Sequence, residues 1–116
     1  MRVYIASDLR TIKELLEIGH AQFQEYLTPD QFEFDHEVDL ESREHLISQL
    51  ASEDSLELNN GRIGLVIAAD LSETQLIDEK LILGMDQVAG VLASRDGDEL
   101  SWFASDEIRF HLAEWE

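Results

Sequence analysis

Apolar positions follow two different rhythms along the chain. Residues 2–6 open with a β-rich run, Val3-Tyr4-Ile5, and end at Ser7-Asp8, where a Ser in the cap position and an acid in the first turn predict a helix start. Leu9, Ile12, Leu15 and Leu16 then recur at helical spacing with Arg10, Lys13, Glu14 and Glu17 on the opposite side, and Gly19 supplies the stop. Phe23, Tyr26, Phe32 and Phe34 fit neither period, and Thr28-Pro29-Asp30 interrupts them, so a short strand is expected near residues 21–27, followed by an irregular segment. Leu40, Ile47, Leu50 and Ala51 predict a second helix from Asp39 to about Glu53, with a turn at Asn59-Asn60-Gly61. Residues 62–69 are almost continuously apolar, the mark of a central strand covered on both faces.

Two shorter apolar runs follow, at residues 80–85 and 88–94, and a third at 100–103. The segment Arg95-Asp96-Gly97-Asp98-Glu99 separates the last two, and its central Asp-Gly predicts a hairpin that makes them antiparallel neighbours. Ser105, ahead of Asp106 and Glu107, reads as the cap of a last helix carrying Ile108, Leu112 and Trp115. The fold class expected is α/β to α+β. One domain over residues 1–116 would hold a mixed sheet of four or five strands and about three helices.

Three segments carry a resemblance: Met1-Arg2-Val3-Tyr4-Ile5-Ala6, Leu65-Val66-Ile67-Ala68-Ala69-Asp70, and the stretch from Glu99 through Trp102 and Glu107 to Ile108. Together they resemble an uncharacterised family of small, mostly actinobacterial proteins, and the departure lies at residues 93–99, where that family has a longer helical stretch and this chain only a turn. The resemblance implies a single bacterial cytosolic domain and transfers no site residues.

Composition narrows the function classes. Against 26 Asp and Glu stand 8 Lys and Arg, a formal charge of −18, so no basic surface exists to displace phosphate counterions and direct nucleic-acid binding is excluded. There is no Cys, hence no disulfide framework, thiolate metal site or cysteine nucleophile. No stretch approaches the roughly 20 apolar residues of a membrane helix, and a cytoplasmic location is expected.

Candidate chemistry is confined to carboxylates and histidines. Asp8 and Asp70 each follow an apolar strand; were those strands parallel neighbours, the two acids would meet at one sheet edge and could hold Mg²⁺ for an enzyme acting on phosphate esters. Otherwise Asp8 serves the first turn of the helix and Asp70 a turn. His20, His36, His45 and His111 lack the i, i+4 partner of a helical zinc pair; His45 and His111 instead follow Glu41 and Glu107 at that spacing. Between residues 25 and 57 stand 11 carboxylates and one Arg, interleaved with Tyr26, Phe32 and Phe34. Such a stretch is a solvated face, an adaptation to a salty cytoplasm, which two Lys among eight cations also permit, or a docking face for a basic protein partner, with Glu33, Asp35, Glu37 and Asp39 as its contact residues. The function expected is that of a small acidic interaction or accessory domain, with the Mg²⁺ enzyme as the alternative.

Overall fold

In the computed structural model, residues 2–23, 25–28, 39–59, 61–72, 81–95 and 100–115 are described. Strand β1 (Arg2–Ser7) leads into helix α1 (Leu9–Ile18), strand β2 (His20–Phe23), helix α2 (Leu40–Leu58), strands β3 (Gly64–Asp70), β4 (Leu81–Gly84), β5 (Val88–Ser94) and β6 (Ser101–Ala104), and helix α3 (Ile108–His111). The main sheet has the order β1-β3-β5-β6, and β2 pairs with β4 in a separate ribbon. Every pairing of these strands is antiparallel. The α and β composition, three helices and four-stranded sheet agree with the sequence reading, while the expected mixture of parallel and antiparallel strands does not occur among them.

β3 explains why its sequence is apolar without alternation. It is the inner strand between β1 and β5, and Leu65 to Ala69 are fully buried. On one face Val66 and Ala68 join Tyr4 and, from α2, Ile47 and Ala51. On the other, Leu65, Ile67 and Ala69 join Val3 and Ile5 from β1, Ile12 and Leu15 from α1, Leu81 and Leu83 from the ribbon, and Ile108 and Trp115 from the C-terminal segment. The molecule is therefore a three-layer stack with the sheet in the middle. Its Cα radius of gyration of 13.5 Å is that expected of one compact unit of this length.

Local sequence rules account for most element ends. Gly19 closes α1 in the left-handed region at φ 94°. At the other end the cap is Asp8 and not Ser7: an Asp8 carboxylate oxygen accepts from the Thr11 N–H at 2.8 Å, while Ser7 stays in β1. Ser105 is likewise no cap; it lies in a turn, its N–H donates to the Ala89 carbonyl at 3.2 Å, and α3 begins three residues later with no side-chain cap. β5 and β6 pair as the Asp-Gly signal predicted, although the turn residues 96–99 lie outside the described residues.

α2 departs most from its sequence reading. It runs to Leu58, five residues beyond Glu53, and its buried face is Ile47, Ser48, Ala51, Ser52 and Ser55. Leu40 and Leu50, two of the apolar residues whose spacing predicts the helix, are exposed. Small side chains let the helix lie close on β3; a Cβ added to Gly64 would come within 2.9 Å of the Ser52 carbonyl oxygen and nearer still to its hydroxyl.

Candidate functional site

A cleft lies beside β1, lined by residues of α1, the end of α2 and residues 25–27. Ser7 is buried, and its carbonyl accepts from the Ser55 hydroxyl at 2.5 Å and from the Asn59 side-chain amide at 3.1 Å. The Leu65 N–H donates to the same Ser55 oxygen at 2.7 Å, so one hydroxyl is inserted between neighbouring strands. Asn59 also donates to the carbonyls of Ser55 and Ile63, and these bonds fix the last turn of α2 beside the exit of β1. On the outer edge of β1, Tyr4 and Leu27 exchange two backbone hydrogen bonds of 2.8 Å, which anchors residues 25–28 there.

Between α1, α2, the end of β2 and residues 25–27 lies a cavity of about 660 Å³, the size of a small-molecule or peptide site. Tyr4 and Phe23, both buried, and the partly buried Tyr26 supply aromatic walls. Asp8, Glu25, Asp54 and Glu57 supply four carboxylates, and among the described residues no Lys, Arg or His lines the cavity. One oxygen of Asp8 is engaged in capping α1. Glu57 sits in the last turn of α2, where the free carbonyls already carry partial negative charge and a cation would be favoured; the turn has no basic residue. Burial raises the Tyr4 phenol above its ordinary value, helped by nearby Glu44, so the ring stays neutral in the physiological range.

The structure separates the residues that the Mg²⁺ reading joined. β1 and β3 are neighbours but antiparallel, with Arg2 opposite Asp70 and Ser7 opposite Leu65. Asp8 and Asp70 therefore lie at opposite ends of β1, roughly 20 Å apart at about 3.3 Å per residue, and cannot share an ion. Asp70 instead takes a two-point contact from the Arg2 guanidinium, at 2.7 and 3.2 Å. That contact holds its carboxyl below the usual carboxylate range and raises Arg2 in turn. No group of three or more His, Asp or Glu that could hold a metal ion occurs among the described residues.

Of the expected docking residues, Glu33, Asp35 and Glu37 lie outside the described residues. Asp39 is the cap of α2: it accepts from the Ser42 N–H at 2.8 Å, and this bond lowers its carboxyl below the ordinary value. It stands about 27 Å along the helix from Glu57, away from the cleft. Among the histidines, His20 and His45 are exposed and His36 lies outside the described residues. His111 pairs with Glu114 at 3.0 Å instead of with Glu107, and its ring lies 4.5 Å from that of Phe103.

The two ends of the acidic stretch, Glu25 on one side and Asp54 with Glu57 on the other, are what the fold brings together, and Asp8 joins them from outside it. The sequence reading missed Tyr4, Phe23, Tyr26 and Glu57 as a group. A usable signal existed at Glu57, an acid just before Asn59-Asn60-Gly61, but it required the helix to be extended past Glu53.

No protein-family model, curated protein or solved structure matches this chain. Among the described residues, no helix is long and apolar enough to cross a membrane.

Proposed function

We propose that this chain is a non-catalytic binding module whose cleft beside β1 receives cationic groups of a basic protein partner. The observation that carries the reading is the cavity lining, which among the described residues holds four carboxylates, three aromatic rings and no cation. Ammonium and guanidinium groups are attracted to the faces of Tyr and Phe rings and form charge-assisted hydrogen bonds with carboxylates, so both kinds of wall select the same ligand charge. A net charge of −18 adds long-range attraction for a basic partner and steers its approach. A cytoplasmic location belongs to this proposal, since a cysteine-free chain needs no oxidising compartment.

The test is an NMR titration with a short oligolysine at low salt. Saturable shifts should centre on the amides of Tyr4, Tyr26 and Glu57, fade as NaCl screens the charges, and weaken about tenfold in the Asp54→Asn/Glu57→Gln double variant. Shifts spread evenly over outlying acids such as Glu41 and Glu53, and unchanged in the double variant, would overturn the assignment.

A further inference from the structure

We infer that the cleft is built for the main chain of its ligand as well as for its charge, and that it receives an extended Lys- or Arg-bearing peptide segment alongside Ala6. This rests on the cation-binding reading above and adds the class of molecule that carries the cation.

The argument starts from the hydrogen bonds of β1. Tyr4 directs its N–H and C=O away from β3, toward Leu27. In an antiparallel ladder these directions alternate by residue, so Ala6, two positions on, also points its N–H and C=O to the outer edge. Continuing the Tyr4–Leu27 register would place Glu25 opposite Ala6, yet the pairing is an isolated bridge that ends at Tyr4. Gln22 and Phe23 already belong to the β2–β4 ribbon, where they pair with Ile82 and Leu81. Ala6 is left half-buried and lining the cavity, and among the described residues no backbone pairs with its outer edge.

An open strand edge inside a cleft is the feature to which an extended peptide adds, with main-chain bonds fixing its position and alternate side chains choosing the sequence. Here the side chains beside the edge would meet Tyr4 and Tyr26 on one side and Glu57 on the other, which suits an aliphatic stem ending in a cation. The volume also separates the candidates. A cavity of about 660 Å³ far exceeds a metal ion or a lone ammonium and accommodates a few peptide residues. A free polyamine would satisfy the carboxylates but would leave the Ala6 edge unused.

The experiment compares three probes on the intact chain at low salt: a capped peptide alternating Ala and Arg, the same peptide N-methylated along its main chain, and spermine. The expected result is that the capped peptide shifts the Ala6 amide and slows its hydrogen exchange at least tenfold at saturation. The N-methylated peptide, equal in charge, should bind about tenfold more weakly, the loss expected for one or two hydrogen bonds. Spermine should shift the amides around Glu25 and Glu57 without protecting Ala6. If all three probes bind the cleft equally and Ala6 exchanges freely throughout, the peptide inference is overturned while the cation-binding reading stands. If none of them binds, both fall.

Discussion

Two serines three residues apart on the same face of α2 should respond to the same substitution with opposite sign. Ser55 and Ser52 are both fully buried against the sheet. The Ser55 hydroxyl donates to the Ser7 carbonyl and accepts from the Leu65 N–H and the Asn59 side chain. Ser55→Ala leaves the Leu65 N–H buried without an acceptor, while Ser7 keeps its bond from Asn59. An orphaned buried donor costs about 1–3 kcal/mol, and Ser and Ala differ too little in volume for a cavity cost to matter, so a loss of about 2 kcal/mol is expected. Ser52 is the contrast, because among the described residues its hydroxyl has no hydrogen-bond partner. Removing a buried unpaired hydroxyl recovers its desolvation cost, so Ser52→Ala should be neutral or stabilising by up to about 1 kcal/mol. For a chain of 116 residues 1 kcal/mol corresponds to roughly 4 °C, which puts Ser55→Ala about 8 °C below the parent and Ser52→Ala at or above it. Urea denaturation with a common m-value, supported by calorimetry, reads both changes. Equal losses in the two variants, or a larger loss for Ser52→Ala, would refute the assignment of Ser55 as the bond that joins α2 to β1 and β3.

Three further outcomes can be checked alongside. Gly64→Ala should destabilise by about 1–3 kcal/mol, because its Cβ would press on the Ser52 hydroxyl and carbonyl; adding Ser52→Ala should restore part of that in a double-mutant cycle, whereas strict additivity would count against the contact. Arg2 lowers the Asp70 carboxyl below its ordinary value of 3.8, so the pair stabilises the fold above that value and loses its contribution as pH falls through the lowered one. The stability gap between the parent and Asp70→Asn, at most about 1 kcal/mol for so exposed a pair, should be constant above about pH 5 and shrink by pH 3 in urea titrations; a gap that widens on acidification would be the wrong sign. Raising NaCl from about 10 to 150 mM shortens the screening length from about 30 to 8 Å and should raise the melting temperature of a chain carrying −18, and a flat or falling melting temperature would show that its carboxylates do not repel one another appreciably in the folded state.

What the sequence determined by itself is what depends on neighbours within a few residues. The helical period from Leu9 to Leu16, the Gly19 stop, the unbroken apolar run from Leu65 to Ala69 and the pairing of β5 with β6 each rest on local backbone preference or on a strand's need to hide both faces. Strand direction is of another kind. A run of apolar residues looks the same whichever way it points, and only the pairing of Arg2 with Asp70, 68 residues apart, decides that Asp8 and Asp70 are held at opposite ends of the sheet. The buried face of α2 was hidden for a related reason. Helical periodicity marks large apolar residues, but the tight approach of α2 to Gly64 selects Ser48, Ser52 and Ser55 for the inner face and leaves Leu40 and Leu50 in solvent. The cleft belongs wholly to the tertiary structure. Its carboxylates come from Asp8, Glu25, Asp54 and Glu57, and they become one site only because Ser55 and Asn59 fasten the end of α2 to the end of β1 while Leu27 is bonded to Tyr4.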